Sequence, residues 1–338
     1  MIWLSWRQFR TQAVLGFAAV AAIFAVFAAT RPSLQGLARD TGFAACTGSC
    51  ESLADTFLRQ AQGGHLAPLY YGGLIVLYAT PALLGLFWGA PMVARELEAG
   101  THRLVWNQTV SRTRWLAVKL GLAGLATAVA AGLISLTVTW WASPLDRAGR
   151  WITPDVFAAR GLVPVGYAVF AFVAGVTVGV VLRRAIPAML VTFVIVVAAQ
   201  VASPFLLRPY LAGHDTYSAA LTADQVRSIG LSPDDTDRRI RVEAEAGITG
   251  EWSLDKALLT AAGKPFDGPY DPATCGMKAT GGPEECRNWI AAQNLTVVEK
   301  YIGPDKFWVL QWRELGVFLV VSAALAIFCF WWIRRRVA

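Results

Sequence analysis

Six stretches of about twenty apolar residues, only one of which contains a charge (Lys119), constrain this chain more than any other feature. They are residues 12–30, Leu69–Val93, Leu116–Trp141, Leu162–Leu182, Ala185–Leu207 and Leu315–Ile333. At 1.5 Å per residue, roughly 20 apolar residues cross about 30 Å of hydrocarbon as a helix. The first run is longer than the apolar core of a cleaved signal peptide, which favours its retention as a span. Composition agrees: 55% of the 338 residues are hydrophobic and 16% are charged, against about a quarter charged in soluble proteins. The expected fold class is an all-α integral membrane protein with six transmembrane helices.

The net charge of +7 would suggest nucleic acid in a soluble chain. Here the basic residues flank the apolar runs, where they orient helices, so no nucleic-acid partner is expected. Counting them gives an orientation. With the N-terminus inside, Arg7, Arg10, Arg95, Arg103, Arg112, Arg114, Lys119, Arg183, Arg184, Arg334, Arg335 and Arg336 are cytoplasmic, and the two short outside loops hold only Arg31, Arg39, Arg59, Arg147, Arg150 and Arg160. Both termini are then cytoplasmic. The opening MIWLSWRQFR spaces Trp3, Trp6 and Phe9 three apart around Arg7 and Arg10. That pattern reads either as a short helix lying in the interface or as the basic flank of the first span.

Three segments follow as domains: 1–207 with helices 1–5 and a cytoplasmic loop at 93–115, an outside insert at 208–312, and 313–338 with helix 6 and a basic tail. The insert carries 11 basic and 15 acidic residues and many turn signals, the mark of a small folded α+β extracytoplasmic domain between helices 5 and 6. Ile240, Val242, Ala244 and Ala246 alternate with charged residues, as in a half-buried strand, and residues 284–293 suit a short helix behind Pro283. Cys46, Cys50, Cys275 and Cys286 all fall in segments placed outside by charge alone. Cys46 with Cys50 and Cys275 with Cys286 is the economical pairing, although four cysteines allow three connectivities. Cys329, inside the last run, suits an apolar filler.

The chemistry-bearing motifs are few. His65, His102 and His214 are scattered, which leaves no expected metal site and no catalytic triad. HExxH, GxSxG and the phosphate-binding G-x-x-x-x-G-K-[ST] loop are missing from the sequence, so no cofactor is expected on this chain. Nor does any acid, base or nucleophile cluster at one depth, and the middles of the six runs hold no ionisable group. A proton- or sodium-coupled carrier normally keeps such groups there.

That leaves Pro91 to Lys119, PMVARELEAGTHRLVWNQTVSRTRWLAVK, which is too charged for hydrocarbon. Thr101 could cap a short helix presenting Leu104, Val105 and Trp106, and Ser111 could cap the next helix. Such a helix is a lever a partner could push, whereas the plainer reading is a solvated loop. The string VARELEAGTHRLVWNQTVSRTRWLAVKL resembles the first cytoplasmic loop of ABC-2 type transporter permeases, in which an acidic residue, a Gly-Thr pair, an apolar stretch and a Ser-Arg lead into the third span. The segments WLSWRQFRTQA and YIGPDKFWVLQWRELG are similar to those of actinobacterial members. The resemblance implies a permease subunit of an ATP-driven exporter in the plasma membrane. It implies two separate ATPase subunits holding ATP and Mg, a second permease copy or paralogue, and coupling through Arg95, Glu96, Glu98, Gly100, Thr101, His102, Arg103 and Leu104. It also implies a path between permeases lined by spans two and five, which points to Tyr71, Tyr78, Phe193 and Gln200. Uncharged span centres suit an amphipathic or hydrophobic cargo, such as an antibiotic or lipid-like compound, moved outward. The alternative is a membrane-anchored binding or sensing protein acting through its outside domain.

Overall fold

The structure is a computed structural model, and it describes residues 2–48, 50–101, 111–149, 151–231, 240–244, 250–268, 270–276 and 281–336. The chain divides into two compact units, one of residues 1–211 with 307–338 and one of residues 212–306. Among the described residues, six helical segments are long and apolar enough to cross a membrane: Ser5–Asp40, Ala67–Glu98, Arg112–Ala148, Val163–Leu182, Ala185–Ala212 and Pro304–Arg336. Five contain the expected runs and extend past them, and Val163–Leu182 begins one residue inside the expected Leu162–Leu182. We label the helices α1 (Ile2–Asp40), α2 (Glu51–Gly63), α3 (Ala67–Leu84), α4 (Ala90–Glu98), α5 (Arg112–Ala148), α6 (Val163–Leu182) and α7 (Ala185–Ala202). In the second unit lies α8 (Gly282–Ala291), and α9 (Phe307–Arg336) completes the bundle.

Helix α1 runs unbroken for 39 residues, about 58 Å at 1.5 Å per residue, nearly twice a hydrocarbon core. Trp3, Trp6, Arg7 and Arg10 therefore belong to the first turns of the same helix that carries the first apolar run. A separate interfacial helix would need a break after Arg10, and neither glycine nor proline stands there to make one.

Helix α6 is the centre. Its sequence, VPVGYAVFAFVAGVTVGVVL, is apolar all round, the signature of a helix with no wet face. It packs on α3, α4, α5, α7 and α9, while α1 packs on α5. Gly175 of α6 meets Gly85 and Gly89, the ends of a π-helical turn that joins α3 to α4, and Gly179 meets Ala90 at the start of α4. A Cβ on Gly175 would lie 2.7 Å from the Gly85 carbonyl oxygen, and one on Gly179 would lie 2.6 Å from that of Ala90. Two Gly-x-x-x-Gly faces thus let the backbones touch, as small residues do where lipid offers no hydrophobic drive. Six buried hydroxyls are satisfied within their own helices: Thr80, Thr127, Thr137, Thr177, Thr192 and Ser322 each donate to the carbonyl four residues back. Cys329 is buried and donates to Thr177 Oγ1 at 3.2 Å.

The second unit holds β1 (Asp215–Ala220), β2 (Val226–Leu231), β3 (Ile240–Ala244), β4 (Trp252–Leu259) and β5 (Thr296–Ile302). β5 lies between β1 and β4, antiparallel to both, and β2 pairs with β3. The expected alternation at 240–244 is that of β3, with Ile240 and Ala244 buried and Arg241 and Glu243 exposed. Ala246 lies outside the described residues. Ile290 of α8 packs with Val226, Ile240, Val297 and the Cys275–Cys286 disulfide in a small core of its own. Exposed Asp271 begins the Pro272–Cys275 turn. The Thr274 hydroxyl and Ala273 amide donate to its carboxyl and hold it below the usual carboxylate range.

Candidate functional site

Helix α4 ends where Gly100 takes φ +70°, a left-handed conformation that glycine adopts without strain. Thr101 Oγ1 then donates back to the Glu96 carbonyl at 3.4 Å. The last turn of α4 is tied to two other spans. Glu96 Oε1 sits 2.5 Å from Nζ of Lys119 in α5, and Lys119, only 6% exposed, also donates to the Met92 carbonyl and lies 5.0 Å over the Trp115 ring. Glu98 Oε2 accepts from the Ala185 amide at 3.0 Å. The side chain of the residue preceding α7, Arg184, cannot accept that bond, so Glu98 supplies an acceptor and a negative charge to an amide terminus that needs both. Ser111 begins α5 and accepts from the Arg114 amide at 3.3 Å, the cap expected of it.

Of the residues expected at the coupling region, Arg95, Glu96, Glu98, Gly100 and Thr101 are thus gathered at one end of the bundle. His102, Arg103 and Leu104, with the short helix expected beyond Thr101, lie outside the described residues. Arg95 and Glu98 are exposed, whereas Glu96 turns inward. Between α1, α4 and α5 this end also opens into a cavity of about 190 Å³, lined among others by Ser5, Gln8, Gln12, Arg95, Glu96 and Lys119.

The opposite end is a sealed polar cluster that the sequence did not suggest. Glu314 of α9 is fully buried, and its carboxylate accepts from Arg208 Nε at 3.0 Å, Tyr167 at 2.9 Å and Ser203 at 2.7 Å. Arg208, also fully buried, donates to the Pro154 carbonyl and faces the Phe157 ring. Gln311, one turn before Glu314, accepts from the Leu162 and Val163 amides at 2.8 and 2.9 Å, capping α6 from another helix. Arg160 and Asp146 form a further pair at 3.0 Å. Arg208, Gln311 and Glu314 lie just outside the apolar runs Ala185–Leu207 and Leu315–Ile333. The helices instead continue past the apolar runs, because these polar groups find partners inside the bundle.

The four candidate path residues divide into two kinds. Gln200 Nε2 donates to the Tyr78 carbonyl at 3.0 Å, and the Tyr78 hydroxyl donates to the Asp155 carbonyl at 3.0 Å. These two hold spans two and five together. Among the described residues Tyr71 and Phe193 make no such hydrogen bond, and about half of each is exposed. The structure joins Cys46 to Cys50 and Cys275 to Cys286. Among the described residues, no cluster of His, Cys, Asp and Glu could hold a metal.

A family described as ABC-2 membrane transporter related matches residues 17–208, more than half of the chain. No curated protein and no solved structure is similar. The match covers the helices that build the Glu96 end, the Gly-x-x-x-Gly crossing and the first five spans. This chain, a multi-pass membrane protein and membrane transport component whose family associates with ABC ATPase partners, belongs to the ABC-2 membrane transporter related family.

Proposed function

We propose that the chain is the permease subunit of an ATP-driven exporter in the plasma membrane, moving an amphipathic or hydrophobic compound outward. The Glu96 end is then cytoplasmic and the 212–306 unit extracytoplasmic. The observation that carries this reading is the bond from Glu98 to the Ala185 amide, since it ties the segment between spans two and three directly to the start of span five. Glu96 adds a tie to span three, and the glycine crossing adds one to α6. A push on the exposed Arg95 and Glu98 surface is delivered to several spans at once, which is what a two-state rearrangement needs.

Gln200 and Tyr78 act as a latch between spans two and five, and Tyr71 and Phe193 face the pathway formed with a second permease. Two ATPase subunits hold ATP and Mg, and this chain binds neither. The test is co-purification of the full chain in mild detergent, followed by substrate-stimulated ATP hydrolysis by the complex. Glu98→Ala should leave the ATPase bound and abolish most of the stimulation. Normal stimulation would remove the coupling role, and the absence of any ATPase would remove the transporter reading in favour of a binding protein.

A further inference from the structure

We infer that the cavity between α1, α4 and α5 is a binding site for the headgroup of an anionic phospholipid of the phosphatidylglycerol kind. It does not depend on the transport reading. At about 190 Å³ the cavity holds roughly six waters and falls below the usual 300–1,000 Å³ of a drug-sized site. A headgroup is the right scale.

The walls define its chemistry. Arg95 and Lys119 bring two positive charges against one negative charge on Glu96, leaving +1 among the described lining residues, which matches one phosphodiester. Lys119 is nine-tenths buried, and its ammonium has three N–H donors, of which Glu96 and Met92 accept two. Ser5, Gln8 and Gln12 offer a hydroxyl and two carboxamides on one face of α1, suited to phosphate oxygens and to glycerol hydroxyls. A choline headgroup, cationic and without donors, would bring its charge against Arg95 and Lys119.

A membrane lipid is favoured over a soluble phosphate by what adjoins the cavity. Leu15 lies one turn beyond Gln12 on the same face of α1 and is 67% exposed, and Leu125 lies one turn beyond Leu122 on α5 and is equally exposed. An acyl chain leaving the cavity has apolar surface to follow. The overlong α1 explains how such a site arises, since its first turns precede the apolar run and bring Ser5 and Gln8, with Gln12 at the run's start, to the cavity shared with α4 and α5.

The test is native mass spectrometry of the delipidated full chain, titrated separately with phosphatidylglycerol, phosphatidylcholine, soluble glycerophosphoglycerol and inorganic phosphate. Phosphatidylglycerol should bind at least about tenfold more tightly than phosphatidylcholine, and Arg95→Gln should lose about fivefold of that preference, the order expected for one cation at an anionic surface. Gln8→Leu with Gln12→Leu should lower the preference too, leaving only the part carried by Arg95 and Lys119. Equal binding of both lipids to the unaltered chain overturns the proposal and needs no variant to fold. Undiminished preference in monodisperse variants overturns it too, because the selectivity then resides elsewhere. Saturation by glycerophosphoglycerol or phosphate at the same concentrations would mean a site for soluble anions, with no role for the apolar stripe.

Discussion

The Glu314 and Glu96 carboxylates each meet a cation on another helix, at 3.0 and 2.5 Å, yet the first is closed on every side and the second borders a cavity. Glu314 accepts from a guanidinium, a phenol and a hydroxyl at once, with no exposed surface. Burying two charges costs several kcal/mol per ion, which attraction offsets only when the remaining lone pairs are also satisfied. The Glu314 carboxylate meets that condition, while Arg208 Nη2 has no hydrogen-bond partner among the described residues, and the cluster acts as a bolt holding α6, α9 and the end of span five. Around Glu96 the same chemistry is left accessible, with Arg95 and Glu98 exposed beside it. One end of the bundle is built to stay shut, and the other is built to be touched.

The sharpest way to break this contrast is Glu314→Ala, which strands Arg208 in the bundle. It should cost about 3–5 kcal/mol, read as a lower midpoint for denaturant unfolding in micelles. Unchanged stability would mean that the cluster is no bolt. The double change Glu314→Leu with Arg208→Met should recover only part of that loss, because the two apolar groups need no partners but the buried Tyr167 and Ser203 hydroxyls lose their acceptor, at about 1–3 kcal/mol each. Lys119→Met, at the open end, should cost less, about 1.5–3 kcal/mol, since water in the cavity can reach the carboxylate left behind. A larger loss there than at Glu314 would reverse the comparison.

Between the two ends, Gly179→Ala should cost about 1–3 kcal/mol by forcing a methyl against the Ala90 carbonyl. Cross-linking between cysteines placed on α4 and α6 should fall with it, and an unaffected yield would show that the contact is not tight. The smallest effect is expected from Glu98→Ala, about 1 kcal/mol for a lost cap. Hydrogen exchange at the Ala185 amide should quicken while exchange at the α6 terminus, capped by Gln311, stays slow. Equal change at both would mean that the two ends respond as one body.

Much of this could be read from the chain alone. Length and the absence of charge decide that residues 12–30 or 185–207 are helical, because in hydrocarbon a backbone must satisfy itself within one segment. The Gly-x-x-x-Gly pairs at 85/89 and 175/179 were visible as a spacing, but the two segments are distant in sequence and nothing local says that one meets the other. Ser111 was legible as a cap because its partner is three residues away. Glu98 and Gln311 were not, since the amides they cap lie 87 and 148 residues off.

What the sequence determined by itself is therefore the set of spans, the basic residues that flank them, and the small inserted unit with its period-two strand, all consequences of local pattern. Only the tertiary structure decided where the helices end, which carboxylate is buried and which reachable, and that the opening stretch, readable either as an interfacial helix or as the flank of the first span, is continuous with α1. The physical reason is one of reach. A charge such as Arg208 or Glu314 looks like a boundary when read along the chain, and becomes interior once a partner more than a hundred residues away neutralises it.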